Sequence, residues 1–442
     1  MLCVFLPALN FRGNHSPHLW WFYKFVSAFG RDAWYVCGDE YFADPALHLA
    51  HGRHEATSTS AQRLEYDVPG LQLLSQLPRH DVPPGVWRSI EDRFRSNPLR
   101  AYQYYCLEPD EQLACALSAS LDHMQSRTGP PEAVITCVNC ATLSAVCKQR
   151  GLPLIHMELG PLRPPNFLPT VYFDFSGVNG QTEAQARFEA AEVSTQERDW
   201  HCADALRSLF TTLREPPDNE DPDTDLGIAL QIEDDSNIVC YSNGFSSAAL
   251  INQALITAAN KEAEPPVLVR THPGSLFRLR DLVPSVAVDS SRSAIDFILR
   301  CRRIHTINSS VAVEAMLLGR EVAVFGDSPF GFCIDADTFR PKQAEFAFLL
   351  LNYLVPWDIA FSAEYVRWRI AAPPETSIRE IHLEHFMQLK IKELETRLRE
   401  VEAQTTYLKA QVELLSSSLS WRLARAVRSF YTAVATRHAR PK

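Results

Sequence analysis

The chain has no run of 18 apolar residues, so no segment reads as a helix that crosses a membrane. It has no excess of positive charge. Lys and Arg number 43 against 53 Asp and Glu, a net charge of −10, which argues against a nucleic-acid binder by charge. Its 11 cysteines lack framework spacing, and reduced thiols in a cytosol are the simplest reading. Cys137-Val138-Asn139-Cys140 matches C-x-x-C, yet no second pair at zinc spacing accompanies it. Buried small residues are therefore a simpler reading than a metal or redox site. Met1–Pro7 is apolar without a positive leader and reads as a first strand, not a signal peptide. No G-x-x-x-x-G-K-[ST] is present, and no D-x-D motif stands out as a metal clamp.

What is present suits an ordinary globular protein. The 442 residues, 46% apolar and 22% charged, provide for two domains plus extras. In the first half, strands are expected at Leu2–Leu6, Ala33–Cys37, Ala133–Thr136 and Pro153–Met157. Helices are expected at His18–Phe29 and Ala141–Gln149, with a mostly helical stretch from Tyr66 to Gln125. Glu215 to Asp225 holds six acidic residues and three prolines and reads as a solvated linker. Beyond it, strands are expected at Gly227–Gln231, Val267–Arg270, Val286–Val288, Ile304–Ile307 and Glu321–Phe325. Helices at Ala248–Asn260, Ala294–Arg300 and Val311–Leu318 alternate with them. Strand–helix alternation with short loops implies an α/β fold of two Rossmann-like domains with parallel sheets, where ligands bind at the carboxyl ends of the strands. The expected divisions are 1–214, a linker over 215–226, and 227–375.

After Ala371 the pattern changes. Ile391, Leu394, Leu398, Val401, Leu408, Val412 and Leu415 recur at spacings of three and four, with Thr405 in the missing position. That reads as a coiled coil over 383–416, against the alternative of a lone amphipathic helix. From Leu414 onward six Lys and Arg stand without any Asp or Glu. The tail 417–442 places Trp421, Leu423, Val427, Phe430, Tyr431 and Val434 on one helical side, which suits a helix lying in a membrane interface. Docking of this basic helix on an acidic protein body is the alternative.

Candidate chemistry gathers at strand ends. Arg270 and His272 close one strand, where they face an anionic ligand if the Rossmann reading holds. Asn308-Ser309-Ser310 sits where another strand hands over to a helix. Amide N–H groups and hydroxyls there suit a phosphate, and simple helix capping is the competing use. Glu314, one turn on, is placed to accept from ribose hydroxyls. Glu233-Asp234-Asp235 follows the first strand of the second half. These are either a solvated acidic loop or a source of a nucleophile or base at the interdomain cleft. Glu158 ends a strand of the first half and would face the same cleft. Paired carboxylates are what glycosyl transfer often needs, since charge and proton must both be handled at the anomeric carbon.

These motifs resemble the bacterial capsule-type Kdo transferases. Gln231-Ile232-Glu233-Asp234-Asp235-Ser236-Asn237-Ile238 is similar to their Q-V-E-D-D-x-x-I stretch. Arg270-Thr271-His272-Pro273 resembles their basic-x-His-Pro motif. Thr306-Ile307-Asn308-Ser309-Ser310 with Glu314-Ala315 resembles T-x-N-S-S-x-x-x-E-A, and Glu158 to Arg163 resembles E-x-G-x-x-R. The run from Tyr172 to Asn179 is most similar to the O-antigen branch of the retaining β-Kdo transferases. The resemblance covers roughly residues 130–330. It implies a GT-B-like fold with CMP-β-Kdo as donor. Arg270, His272, Asn308, Ser309, Ser310 and Glu314 would lie at the nucleotide. It implies retention by double displacement, with Asp235 as nucleophile (Asp234 its competitor) and Glu158 as the acceptor-side acid/base. Metal independence is expected, because CMP leaves with a single phosphate. The expected acceptor is a lipid-linked O-antigen or capsular glycan. The expected place is the cytoplasmic face of the inner membrane, held peripherally by the tail, with a homo-oligomer possible through the coiled coil. A transferase using CMP-sialic acid or a UDP-sugar, and a coiled-coil scaffold that organises glycan assembly, are the alternatives.

Overall fold

The computed structural model describes the chain except residues 12, 96, 192–201, 214–221, 259–266, 276–285, 418–426 and 429–442. Met1–Phe386 forms one compact unit and Met387–Lys442 a second. The first unit holds two sheets.

The first sheet has the order β11-β5-β4-β3-β1-β2. Its strands are β1 (Leu2–Phe5), β2 (Ala33–Val36), β3 (Val134–Thr136), β4 (Leu154–Leu159), β5 (Thr170–Asp174) and β11 (Leu354–Pro356). β1 to β4 pair in parallel, as the strand–helix alternation predicts. At one edge β5 runs against the others and pairs antiparallel with both β4 and β11, which differs from the all-parallel expectation.

β1 explains why a continuous apolar run makes a central strand. Leu2 and Val4 join one core cluster, while Cys3 and Phe5 join another on the opposite face. A strand buried on both faces needs apolar residues at every position. Each large side chain so buried contributes about 1.5–3 kcal/mol. The helix Leu19–Phe29 covers one face with Trp21, Phe22, Phe25, Val26 and Phe29 at helical spacing. It ends at Gly30, whose φ of +50° an L side chain adopts at a cost.

The second sheet is parallel throughout, in the order β10-β9-β6-β7-β8. Its strands are β6 (Thr224–Ala229), β7 (Val267–Arg270), β8 (Val286–Val288), β9 (Cys301–Thr306) and β10 (Glu321–Val324). β6 starts inside the segment expected to be linker, because Thr224 and Leu226 are already buried in the sheet. The expected 227–375 domain is also too long at its carboxyl end. β11 pairs with β5, so the chain has returned to the first sheet by Leu354. The apolar run Leu349–Val355 is what makes that return favourable, since it is fully buried there.

The helix Glu375–Ser417 begins within the first unit's residues and continues into those of the second. Within the second unit, Ile391, Leu394, Leu398, Val401, Leu408, Val412 and Leu415 are all exposed. These residues lie along the one helix. The tail over 417–442 lies outside the described residues apart from Ser417 and a helical turn at Val427 and Arg428. Among the described residues, no helix is long and apolar enough to cross a membrane.

Candidate active site

The carboxyl ends of β6, β7 and β9 are neighbours because those strands are adjacent and parallel. Their three loops form one wall of a cleft of about 430 Å³. Gln231 and Asn308 bind each other reciprocally. The Gln231 amide donates to Asn308 Oδ1 at 3.0 Å, and the Asn308 backbone N–H donates to Gln231 Oε1 at 3.1 Å. The Asn308 side-chain amide also donates to the carbonyls of Asn237, Tyr241 and Asp327. Asn308 is 3% exposed. Its side chain is a brace that shapes the wall, although the sequence motif placed it on the nucleotide. Glu233 accepts from the Ser275 hydroxyl at 2.6 Å, tying the loop after β6 to the loop after β7. That leaves Asp234 and Asp235 as the carboxylates of the acidic run that line the cleft.

His272, Ser309 and Ser310 also line it. His272 Nδ1 accepts the Gly274 N–H at 3.0 Å, which makes Nε2 the proton-bearing nitrogen of the neutral ring. Ser309 Oγ accepts from Val311 N at 3.3 Å and so does cap the following helix. Arg270 stands differently from expectation. Its guanidinium donates to Asp289 at 2.5 Å and to Ser291, and it does not line the cleft. A buried Asp289 carboxylate must have a cation beside it, and Arg270 supplies one, with Arg300 at 3.6 Å on the other oxygen. Glu314 does not line the cleft either. Burial pushes its carboxyl up to about 7, against the opposing pull of Arg163 and Arg270.

The opposite wall comes from the first sheet. Glu158, at the end of β4, is half-buried and lines the cleft. Burial raises its carboxyl to about 7, the Leu159 N–H and Arg163 oppose that rise, and the negative charge of Asp235 adds to it. Asp235 and Glu158 are therefore electrostatic neighbours across the cleft. Arg163 lines the same space and donates through Nε to Gly160 O at 2.8 Å.

The helix Ser236–Tyr241 follows the acidic run and is bound to both walls, to Asn308 on one side and to first-sheet residues on the other. Gln103 donates to Val239 O at 2.8 Å. Asn139 takes the Val178 N–H and carbonyl at 2.8 Å each, and its amide also reaches the Tyr241 hydroxyl. Asn179, in the left-handed region at φ +68°, donates to Ser236 Oγ at 2.9 Å. Gly180 lies against the Tyr241 ring, where an added Cβ would come within 2.4 Å. At the start of this helix, Asp235 Oδ1 accepts from Asn237 N at 2.9 Å, Asn237 Nδ2 at 3.0 Å and Ser236 Oγ at 3.4 Å. Oδ2 takes none of these bonds and is the oxygen left for chemistry.

Sequence reasoning did not single out Asn139, Asn179 or Tyr241. Asn139 lay inside the C-x-x-C segment, where attention went to sulfur. Both cysteines are buried and free, and Cys140 Sγ accepts from Leu143 N at the start of a helix. A polar residue between two buried thiols was the available signal. Among the described residues, no three His, Cys, Asp or Glu side chains gather as a metal-ligand set.

Residues 4–183 match the family described as glycosyltransferase 99, N-terminal domain. Residues 220–333 match the capsule polysaccharide biosynthesis protein family. Glu158 thus lies within the first matched stretch, and Asp235, His272, Ser309 and Ser310 lie within the second. Protein FixF of Sinorhizobium fredii is 27% identical over 104 residues, 23% of this chain and 26% of FixF. The match therefore spans about a quarter of that relative's length. Two solved structures from Thermosulfurimonas dismutans are similar to this chain, each at 17% identity. They are KpsC beta Kdo 2,7 transferase (57% of this chain, 89% of that one, TM-score 0.41) and KpsC beta Kdo 2,4 transferase (59%, 96%, 0.38).

Proposed function

We propose that this protein is a retaining GT-B-type glycosyltransferase that moves β-Kdo from CMP-β-Kdo to a bacterial O-antigen or capsular glycan. The observation that carries this reading is the pair of carboxylates, Asp235 and Glu158, on opposite walls of one cleft beside His272, Ser309 and Ser310. The glycosyltransferase 99 and capsule-synthesis domains support the reaction class.

Two displacements follow from the roles. Asp235 Oδ2 attacks the anomeric carbon as its bond to the CMP phosphate oxygen breaks. CMP leaves with the bonding electron pair and needs no proton. The His272 Nε2–H and the serine hydroxyls donate to the phosphate as its charge grows. Glu158 then takes the proton of the acceptor hydroxyl. The acceptor oxygen attacks the same carbon, and the bond to Asp235 breaks to restore the carboxylate. Two inversions give net retention. A base that takes a proton near neutral pH suits this second step, and a carboxyl pushed up to about 7 is such a base.

The donor is tested by thermal shift. Stabilisation by CMP and not by UDP supports the reading, and the reverse points to a UDP-sugar. Full activity in EDTA supports metal independence, and strict dependence on added magnesium contradicts it. The exposed stripe on Glu375–Ser417 supports pairing with a second copy. The basic segment 417–442 supports peripheral attachment at the cytoplasmic face of the inner membrane, where a lipid-linked acceptor is reached. Deleting 418–442 then moves the protein from membrane to soluble fractions while activity on a short synthetic acceptor persists. Loss of that activity assigns the segment to the catalytic unit instead.

A further inference from the structure

The cleft is polar where the carboxylates, His272 and the serines line it, yet one part of its first-sheet wall is aromatic. Trp20 lines the cleft and is half-buried, on the first turn of the helix Leu19–Phe29. Its ring rests on Trp21, centroid to centroid 4.2 Å. Trp21 is 1% exposed and stacks on Phe25 at 5.3 Å, inside the core. Trp20 is therefore the outer member of a column anchored in the core and cannot collapse inward. A large apolar ring fixed at the edge of a polar cleft is a poor choice for water and a good one for a ligand with an apolar face.

We propose that Trp20 is a stacking platform for a pyranose ring of the acceptor glycan. A pyranose has a C–H face that suits an indole, and its hydroxyl edge stays available for hydrogen bonds. The wall selects the acceptor over the nucleotide. Trp20, on a helix packed in the core of the first sheet, and Glu158, in β4 of that sheet, line the cleft from one side, whereas His272, Ser309 and Ser310 follow strands of the second sheet. This inference rests on the glycosyltransferase reading.

The test uses the full-length protein with methyl glycosides of galactose, rhamnose, mannose and N-acetylglucosamine and the disaccharides built from them. Contact is read by saturation-transfer NMR and transfer with a CMP-Kdo generating system. For the best disaccharide, Trp20→Ala raises KM at least about tenfold with little change in kcat, and Trp20→Phe restores most of the loss. CMP protects both variants from heat as it does the parent. An unchanged disaccharide KM in Trp20→Ala overturns the proposal. So does loss of CMP protection in that variant, which would put the base on Trp20. Absence of any saturation transfer from the panel to the parent protein also overturns it. Failure of the donor reading is separately visible. If CMP protects no form of the protein while a disaccharide contacts the parent but not Trp20→Ala, the platform stands and the donor is wrong.

Discussion

The two walls of the cleft hold their carboxylates by different means. On the second-sheet wall, Asp235 begins a short helix, and three donors fix its Oδ1. On the first-sheet wall, Glu158 has one backbone N–H, to Leu159 at 2.7 Å, and is otherwise governed by burial. Hydrogen bonds fix a carboxylate's direction, and burial changes its proton affinity. One wall is thus built to aim an oxygen and the other to exchange a proton. A nucleophile needs the first and a general base the second.

The largest effect should come from removing the aimed oxygen. Asp235→Asn keeps a side chain able to cap Ser236–Tyr241 but has no nucleophile. Turnover should drop at least about a thousandfold with little change in melting temperature. Retention of a tenth of the activity would exclude Asp235 from attack, and the same loss in Asp234→Asn alone would transfer the role. Next is Glu158→Gln, expected to slow transfer by about a hundredfold to ten-thousandfold while the first displacement still proceeds. Rapid-quench measurement should then find CMP released in a burst before product appears.

The pH dependence separates the walls more finely. Transfer with the parent enzyme should rise with pH through about 7 as Glu158 becomes a carboxylate. Stability runs the other way. The folded-state value near 7 lies above the ordinary 4.5, so the folded protein binds this proton more tightly than the unfolded chain. The benefit is complete below about 4.5 and is lost as pH climbs through 7. Glu314 acts in the same direction. Glu158→Gln should therefore raise the melting temperature at pH 8 and leave it nearly unchanged at pH 4. An equal effect at both would mean that burial does not set this group's proton affinity.

The smallest effect concerns how Asp235 is aimed. Asn179→Gly keeps the left-handed backbone and removes only the amide that holds Ser236. A lost hydrogen bond of about 1 kcal/mol corresponds to about a fivefold drop in kcat, with the donor KM unchanged. Ser236→Ala should give the same drop, and the double variant no more than either alone. Full additivity would show that Asn179 acts by another route.

Much of this arrangement was legible in the sequence. Continuous apolar runs such as Leu2–Phe5 and Val267–Val269 mark strands buried on both faces, and polar residues just beyond them mark the site. Asp235, Glu158, His272, Ser309 and Ser310 meet in one cleft as that logic requires. The rest depended on contacts distant in sequence. Arg270 carries a charge that reads as a ligand's partner, but a buried Asp289 nineteen positions later takes it. β11 is three residues long and becomes a strand only because β5 offers an edge. Ser236–Tyr241 reads as part of the second half, and only Gln103, Asn139 and Asn179 reveal that it is bound to the first-sheet wall as well. Trp20 is one aromatic among several in its helix, and the periodicity that buries Trp21 does not say that its neighbour faces a cleft.

The central claim is that Asp235 carries the sugar between two displacements. Intact-mass and peptide mass spectrometry of the Glu158→Gln protein after incubation with CMP-Kdo and no acceptor tests it most directly. The account predicts a mass increase of one Kdo residue, with fragmentation placing it on Asp235. Release of CMP with no covalent adduct, or an adduct on any other residue, contradicts it.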